Sequence, residues 1–339
     1  MKRKFLSGVM VVIIAVMSTL FAGCNVSNNK IRENDLIIYC SHSDDLSRKI
    51  VEEFEKETNI NVYIVQSGTG TLLQRIEKEN EKPIADVMWG GSLSTLDSYK
   101  NYFEPYKSKN EEKVYEDYRN KDGLITRFSV VPSVFIINEK KLGGVKVEGF
   151  SDLLNPELKG KIIKADPEKS SSAYEQLINQ LYAMGNGNPD DGWEYVKQLN
   201  KNVDGNIIKS SSKVYSSVVN GDYSVGLTYE EPALKYSKED SNIKVVYPSE
   251  GTIAKADGIA ILKNAQQKKN AEKFIDYVTG EKVQNMLVKE MNRRPVRNDV
   301  KAGDKMEDFK NIKTIKDDSK WSVEKKDYIL EKFKESLNT

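Results

Sequence analysis

Apolar and polar positions alternate along this chain in two blocks, and each block reads as strand followed by helix. In the first, 35–41 is a mainly apolar run, and 45–57 places Leu46, Ile50, Val51 and Phe54 on one helical face. Thr58-Asn59 closes that helix, 60–66 alternates as a strand, 67–71 is a Gly/Ser/Thr turn and 72–80 a helix. A third apolar run at 84–89 leads into a helix over 92–101. Three strand–turn–helix units in succession predict a parallel sheet with crossover helices. The second block predicts strands at 162–166, 207–209, 223–229 and 243–247, with helices at 171–184, 190–199 and 211–219. Helices over 265–278, 281–291 and 322–335 finish the chain, which shows no internal repeat.

Two long extended runs, 128–138 (holding Pro132) and 252–262, flank the second block. They predict an α/β chain of two lobes, one inserted in the other, with mixed sheets and helices on both faces. The first lobe is expected at 35–127 and 255–290, the inserted lobe at 128–254, and a helical segment packing on the lobes at 291–339. In open α/β sheets ligands bind beyond the carboxyl ends of the strands, so the crevice between the lobes is the expected site.

The beginning of the chain sets its location. Met-Lys-Arg-Lys, an apolar run from Phe5 to Phe21 and then Ala22-Gly23-Cys24 have the order of a secretory signal. A span of about 17 residues interrupted by Ser7, Gly8, Ser18 and Thr19 is marginal for a membrane helix. Cysteine after Ala-Gly resembles the lipobox of bacterial lipoproteins, with Phe21 where leucine is usual. That resemblance implies removal of 1–23, a lipid on Cys24 and a polar tether over 24–34, so the protein is expected outside the cytoplasmic membrane and anchored to its outer face. Charged residues make up 30% of the chain, yet 52 basic residues face 51 acidic ones. So even a balance lacks the basic stripe that nucleic acid requires. With Cys24 lipidated, Cys40 stands alone in an apolar run and reads as a buried thiol. One histidine and two cysteines are too few for a zinc site of several His and Cys ligands.

Chemistry concentrates at the strand-to-helix junctions. These read Ser41-His42-Ser43-Asp44, Ser67-Gly68-Thr69-Gly70-Thr71, Gly90-Gly91-Ser92, Ser170-Ser171-Ser172-Ala173 and Ser210-Ser211-Ser212. Helix N-termini carry amide hydrogens without intrahelical acceptors, and small hydroxyl residues leave them open to anions. The plainer account of any one junction is an ordinary Ser or Thr cap; five along one edge favour an anion-binding crevice. Neither phosphate-loop pattern is present, since Leu73 stands where the second would need glycine. His42 reads as a partner for a phosphoryl oxygen, a metal ligand or a cap. Trp89 reads as a crevice wall or as core, Glu230 as an acceptor for ligand hydroxyl or ammonium groups or as the acidic first turn of a helix. Asp257 is a hinge or ligand candidate. No order of nucleophile, histidine and acid suggests a hydrolase.

Six pieces in order carry a family resemblance: Ile38-Tyr39-Cys40-Ser41-His42-Ser43, Phe54-Glu55-Lys56-Glu57-Thr58-Asn59-Ile60, and Ala85-Asp86-Val87-Met88-Trp89-Gly90-Gly91. The later three are Asp166-Pro167 with Ser170-Ser171-Ser172-Ala173-Tyr174, Gly226-Leu227-Thr228-Tyr229-Glu230, and Arg294-Pro295-Val296-Arg297. From Leu36 to about Val300 the chain resembles the extracellular solute-binding proteins of ABC importers, of the periplasmic-binding-protein type 2 fold. The likeness is to the branch holding ferric-iron, phosphonate and sugar-phosphate binders. It implies a non-enzymatic monomer without cofactor that closes two lobes on a small anionic solute and hands it to a permease and ATPase. The iron branch's ligand pattern is incomplete: His42 matches, but Gly90-Gly91 offers no acid and Tyr229 is followed by Glu230 rather than tyrosine. His42, Tyr229 and Glu230 would be the alternative iron ligands. The hydroxyl-rich junctions fit a phosphorylated organic solute better, with Ser67, Thr69, Gly70, Thr71, Ser92 and 171–173 at the phosphoryl end. His42, Ser211, Tyr229 and Glu230 would then read the remainder. Ferric iron, a ligand-sensing lipoprotein coupled to a two-component receptor, and an extracellular phosphate-ester hydrolase are the competing readings.

Overall fold

The computed structural model describes residues 35–338; the expected signal segment, the expected lipidation at Cys24 and the expected tether lie outside the described residues. Strand β1 (Leu36–Cys40) leads into helix α1 (Asp44–Thr58), β2 (Val62–Gln66) into α2 (Thr69–Glu79), and β3 (Val87–Ser92) into the short α3 (Leu93–Asp97). A two-residue strand β4 (Phe103–Glu104) precedes β5 (Thr126–Asn138). Then come β6 (Ile162–Ala165), α4 (Ser171–Met184), α5 (Trp193–Val203), β7 (Ile207–Ile208), α6 (Ser211–Val219), β8 (Val225–Tyr229), α7 (Glu230–Glu239) and β9 (Ile243–Val246). Strand β10 (Ala254–Leu262), α8 (Lys268–Val278), α9 (Glu281–Met291), β11 (Arg294–Pro295), α10 (Ser319–Glu324) and α11 (Lys326–Glu335) complete the described chain.

The strands run in the order β2-β1-β3-β10-β5-β8-β6-β7. Strands β1, β2 and β3 are parallel, as are β6, β7 and β8, each set joined by helices that cover it. Between the sets lie the two long strands, mutually antiparallel. The first part of β5 pairs with β10, Pro132 opposite Ala254, and from Ser133 onward β5 pairs with β8. Here the strands lock together: Thr252 Oγ1 donates to the Ser133 carbonyl at 2.6 Å.

Apolar packing divides at the same place. Phe128, with Ile38, Ile50, Phe54, Trp89, Ile259 and Phe274, belongs to one core, whereas Phe135 joins Leu177, Leu181, Leu199 and Leu227 in another. Each core draws on the spacing that defines its helices; Leu46, Ile50, Val51 and Phe54 are the buried stripe of α1. The C-terminal segment serves the second core, where Ile329 and Phe333 of α11 are buried. On its way β11 pairs with β5 at Ser129 and Val130, so the chain passes the crossover a third time.

Several boundaries differ from expectation for local reasons. Residues 69–71, expected as a turn, form the first turn of α2, pinned by buried Leu72, Leu73 and Ile76. Strand β3 continues through Gly90 and Gly91 to Ser92 because glycine tolerates their φ of 104° and 94°. Helix α7 begins at Glu230, as one reading of that acid has it, and accommodates Pro232 because proline is tolerated within a first turn. The C-terminal helix breaks at Lys325 into α10 and α11. Among the described residues no helix is long and apolar enough to cross a membrane.

One buried charge tests the second core. Lys164 on β6 is buried, with Nζ 4.9 Å from the centroid of the Phe333 ring. Burial pushes its pKa down from 10.5 to about 7, against the pull of Asp166. The unfolded chain therefore takes up a proton near pH 10.5 that the folded chain refuses until about 7, and stability falls as pH drops through that window. Lys164→Met should raise stability at pH 7 by on the order of 2 kcal/mol. It should also flatten the slope between pH 7 and 10, measured by urea unfolding; an unchanged slope would contradict the assignment.

Candidate ligand-binding crevice

The parallel strands fix where the junctions lie. All three junctions of the first set leave the carboxyl ends of β1, β2 and β3, and those of the second set leave β6, β7 and β8. Register orients the two edges. Ser92, ending β3, lies opposite Asp257, which lies opposite Ser129; Tyr229, ending β8, lies opposite Ser133. Four residues of extended chain separate Ser129 from Ser133, about 13 Å. Both edges thus open onto one stretch of crossover strand. The space between them is narrow, for Ser94 Oγ of α3 is 3.4 Å from Glu175 Oε1 of α4.

Within the first set the junctions touch. A Cβ on Gly90 would lie 2.5 Å from Ser41 Oγ and 3.2 Å from His42 Nε2, and one on Gly91 would lie 2.6 Å from Thr69 Cγ2. The two glycines therefore let β3 press against the first and second junctions together. Thr69, Gly70 and Thr71 supply the opening amides of α2, which have no acceptor within the helix. Gly68 at the cap position offers no side chain to them, and no acid occupies the first turn. Gly68, Gly70 and Thr71 are exposed, Ser67 and Thr69 half-buried. Ser43, before α1, is exposed and makes no side-chain cap bond.

The second set is similar but partly committed. Ser170 Oγ accepts from the Ala173 amide at 3.3 Å, which takes Ala173 out of the donor set and leaves the Ser171 and Ser172 amides outside the cap bond. Ser210 caps α6 without a side-chain bond, and Ser211 opens that helix half-buried. Tyr229 OH donates to the Ser172 carbonyl at 3.4 Å, and burial drives its pKa well up, so it stays a phenol. Ser92 acts as the cap of α3, accepting from the Thr95 amide at 3.4 Å.

Three expectations need correction. Trp89 is wholly buried, packed edge-on to His42 at 5.2 Å and to Phe128 at 5.3 Å, so it is core rather than crevice wall. Glu230 is buried too; Arg294 Nε donates to its Oε2 at 3.1 Å and Tyr247 OH to its Oε1 at 2.6 Å, so its carboxylate is consumed inside the protein. The alternative iron ligands His42, Tyr229 and Glu230 consequently do not present three free donors to one point. Among the described residues no group of three or more His, Cys, Asp or Glu has a metal-holding arrangement. Asp257 accepts from Arg293 and, at 3.1 Å, from Ser129 Oγ.

His42 is buried, and Nε2 has no hydrogen-bond partner. Desolvation, then the charge of Arg293, push its pKa down to about 3 against the opposing pull of Asp257. The imidazole is neutral at any ordinary pH and offers hydrogen bonding rather than charge. Arg293, which lies beside it, escaped the sequence reading; its only signal was a run of Asn292-Arg293-Arg294 at the end of an amphipathic helix. An open groove of about 840 Å³ lies elsewhere, along β9, with a rim that includes the paired charges Lys146–Glu148 and Lys244–Glu139. None of the expected site residues line it.

Known proteins share this architecture. A family model described as bacterial extracellular solute-binding protein matches residues 83–322. Iron uptake protein A1 of a Synechocystis species is 25% identical over 318 residues, covering 87% of this chain and 86% of its own. A solved two-component system protein mediating signal transduction is 32% identical at a TM-score of 0.71, over 84% of this chain and 94% of that one. The periplasmic binding protein AfuA from Actinobacillus pleuropneumoniae, solved with exogenous fructose-6-phosphate bound, is 24% identical at a TM-score of 0.76, over 90% and 98% of the two chains. With a fold of two α/β halves about a crossover and a family model spanning most of its length, the chain belongs to the bacterial extracellular solute-binding proteins, the ABC-importer type of binding protein, which carry solutes and are not enzymes.

Proposed function

We propose that this protein captures a small phosphorylated organic anion, a sugar phosphate or phosphonate, between its lobes and delivers it to an ABC permease. The observation that carries this reading is the convergence, against Gly90 and Gly91, of Ser41, His42 and the uncapped, acid-free amino end of α2. Such a set of donors fits a compact oxyanion. Ser67, Thr69, Gly70 and Thr71 would hold the phosphoryl group with Ser41 and neutral His42. Ser171, Ser172, Ser211 and Tyr229 would approach from the inserted lobe. Neither half supplies enough donors alone, so ligand favours the closed form through its greater affinity for it. A neutral sugar would leave buried donors unpaired at about 1–3 kcal/mol each. AfuA's bound fructose 6-phosphate supports this solute class. A lipid on Cys24 would keep the protein at the membrane's outer face.

A second reading has its own support. The 32% identity to a two-component system protein favours presentation of the loaded form to a membrane receptor kinase. Deleting the gene separates the two. Loss of uptake of a labelled sugar phosphate marks transport, whereas loss of its transcriptional response, with uptake intact when the permease is expressed independently, marks sensing.

A thermal-shift and calorimetric screen of sugar phosphates, phosphonates and ferric citrate tests the ligand class. A binding phosphate ester at a hundredfold excess over its Kd should stabilise the fold by about 2.7 kcal/mol. Thr69→Asp should abolish that binding with little change in the stability of the free protein, because the side chain is half-buried at an open helix end. A visible tyrosinate–iron band with ferric citrate, and no response to any phosphorylated compound, would overturn the reading.

A further inference from the structure

The guanidinium of Arg293 is a charge at the crevice floor with no part in the scheme so far. Arg293 follows α9, where Asn292 ends the helix in a left-handed conformation. Its side chain is 12% exposed, and all three nitrogens are engaged. Nε donates to Ser129 Oγ at 2.7 Å, Nη1 to Glu231 Oε2 and Nη2 to Asp257 Oδ2. Ser129 and Asp257 belong to the paired crossover strands. Glu231 comes from the first turn of α7, whose Ala233 is buried in the inserted half. One cation therefore ties the crossover, and the helix α9 packed on the first core, to a helix of the other half.

The neighbouring pair shows what a purely structural contact looks like here. Arg294 and Glu230 are 3% and 2% exposed, and Tyr247 and the Glu307 carbonyl secure them further. Glu231 differs: 35% of its side chain is exposed, and it holds Arg293 through a single oxygen. Water can receive its carboxylate at little cost. Asp257, at 16% exposure and anchored by Ser129, has no such exit. A second, independent feature marks the spot: His42, buried, turns an unpartnered Nε2 toward Gly90, and both Arg293 and Asp257 are close enough to act on its proton affinity.

We infer that Arg293 is an exchangeable anion-binding residue of the crevice, in which a phosphoryl oxygen of the ligand displaces the Glu231 carboxylate from Nη1 while Asp257 keeps the guanidinium plane fixed. This rests on the phosphate-ester reading proposed above. A planar guanidinium offers two parallel donors, so it recognises phosphoryl oxygens in a fixed orientation that an ammonium would not impose. Glu231 acts as a built-in competitor. Neutral solutes cannot displace it, a monocarboxylate merely replaces one single charge by another, and a phosphate dianion brings the larger charge. The resting ion pair thus selects dianions, and its exchange changes the link between the two halves when ligand arrives.

Glu231→Gln is the informative variant, since it keeps the side-chain shape and leaves Asp257 paired. Titration calorimetry with inorganic phosphate and with fructose 6-phosphate should show binding about three- to tenfold tighter than in the parent protein, as the competitor's charge is gone. The charge-balanced double variant Arg293→Met with Asp257→Asn should weaken both probes about 10- to 100-fold. Its single counterpart would strand Asp257 without a counter-ion, so it is not used. If the parent protein binds a phosphorylated probe and Thr69→Asp abolishes that binding, yet Glu231→Gln fails to tighten it, the exchange is wrong and the phosphate-ester reading stands. If the parent protein binds neither probe, both fall together.

Discussion

Close packing of the Ser41, His42 and Thr69 side chains against the bare backbone of Gly90 and Gly91 is the constraint on which the crevice depends. A side chain at either position would occupy the space of Ser41, His42 or Thr69, and the two φ angles near 100° are ones that other residues rarely adopt. With the glycines in place, three separate loops become one surface of amides and hydroxyls. The same contact buries His42, and burial is the main reason that its imidazole remains uncharged. A neutral imidazole and an uncapped helix end then meet at the glycines, with the Arg293 guanidinium near enough to the imidazole to lower its proton affinity, and no metal-ligand cluster is found among the described residues.

Two adjacent acids and two adjacent arginines take different parts for a reason of burial alone. Glu230 and Arg294 are sealed together beneath Tyr247, and removing one would strand the other. Glu231 and Arg293 sit one residue along, where the carboxylate reaches water. Sequence cannot separate these pairs, because Glu230-Glu231 and Arg293-Arg294 are chemically alike and lie about 60 residues apart. Which acid meets which arginine is decided by the pairing of β11 with β5.

Much of the architecture was nonetheless legible. The helices at Ser171–Met184, Ser211–Val219 and Glu281–Met291 match their expected bounds to the residue, since each begins directly after Ser or Gly and buries apolar residues at helical spacing. The two long apolar runs announced β5 and β10 because strands covered on both faces need no alternation. What escaped was non-local. Its place before Gly90-Gly91 leaves Trp89 open to both wall and core, and only the strand's course past it turns the indole into the core against Phe128 and Phe274. One miss was local: Ala173 reads as a donor, but Ser170, three residues earlier, claims its amide. Arg293 gave no local sign of a role, which depends on strands distant in sequence.

In the proposed function, backbone amides at the open end of α2, together with those opening α4, bind the phosphoryl group. Nitrogen–proton correlation spectra of labelled protein, titrated with fructose 6-phosphate, address those amides one by one. Binding through them predicts downfield proton shifts at Thr69, Gly70 and Thr71 and at Ser171 and Ser172, saturating together at one concentration. Saturable binding that leaves these five amides unmoved would contradict it.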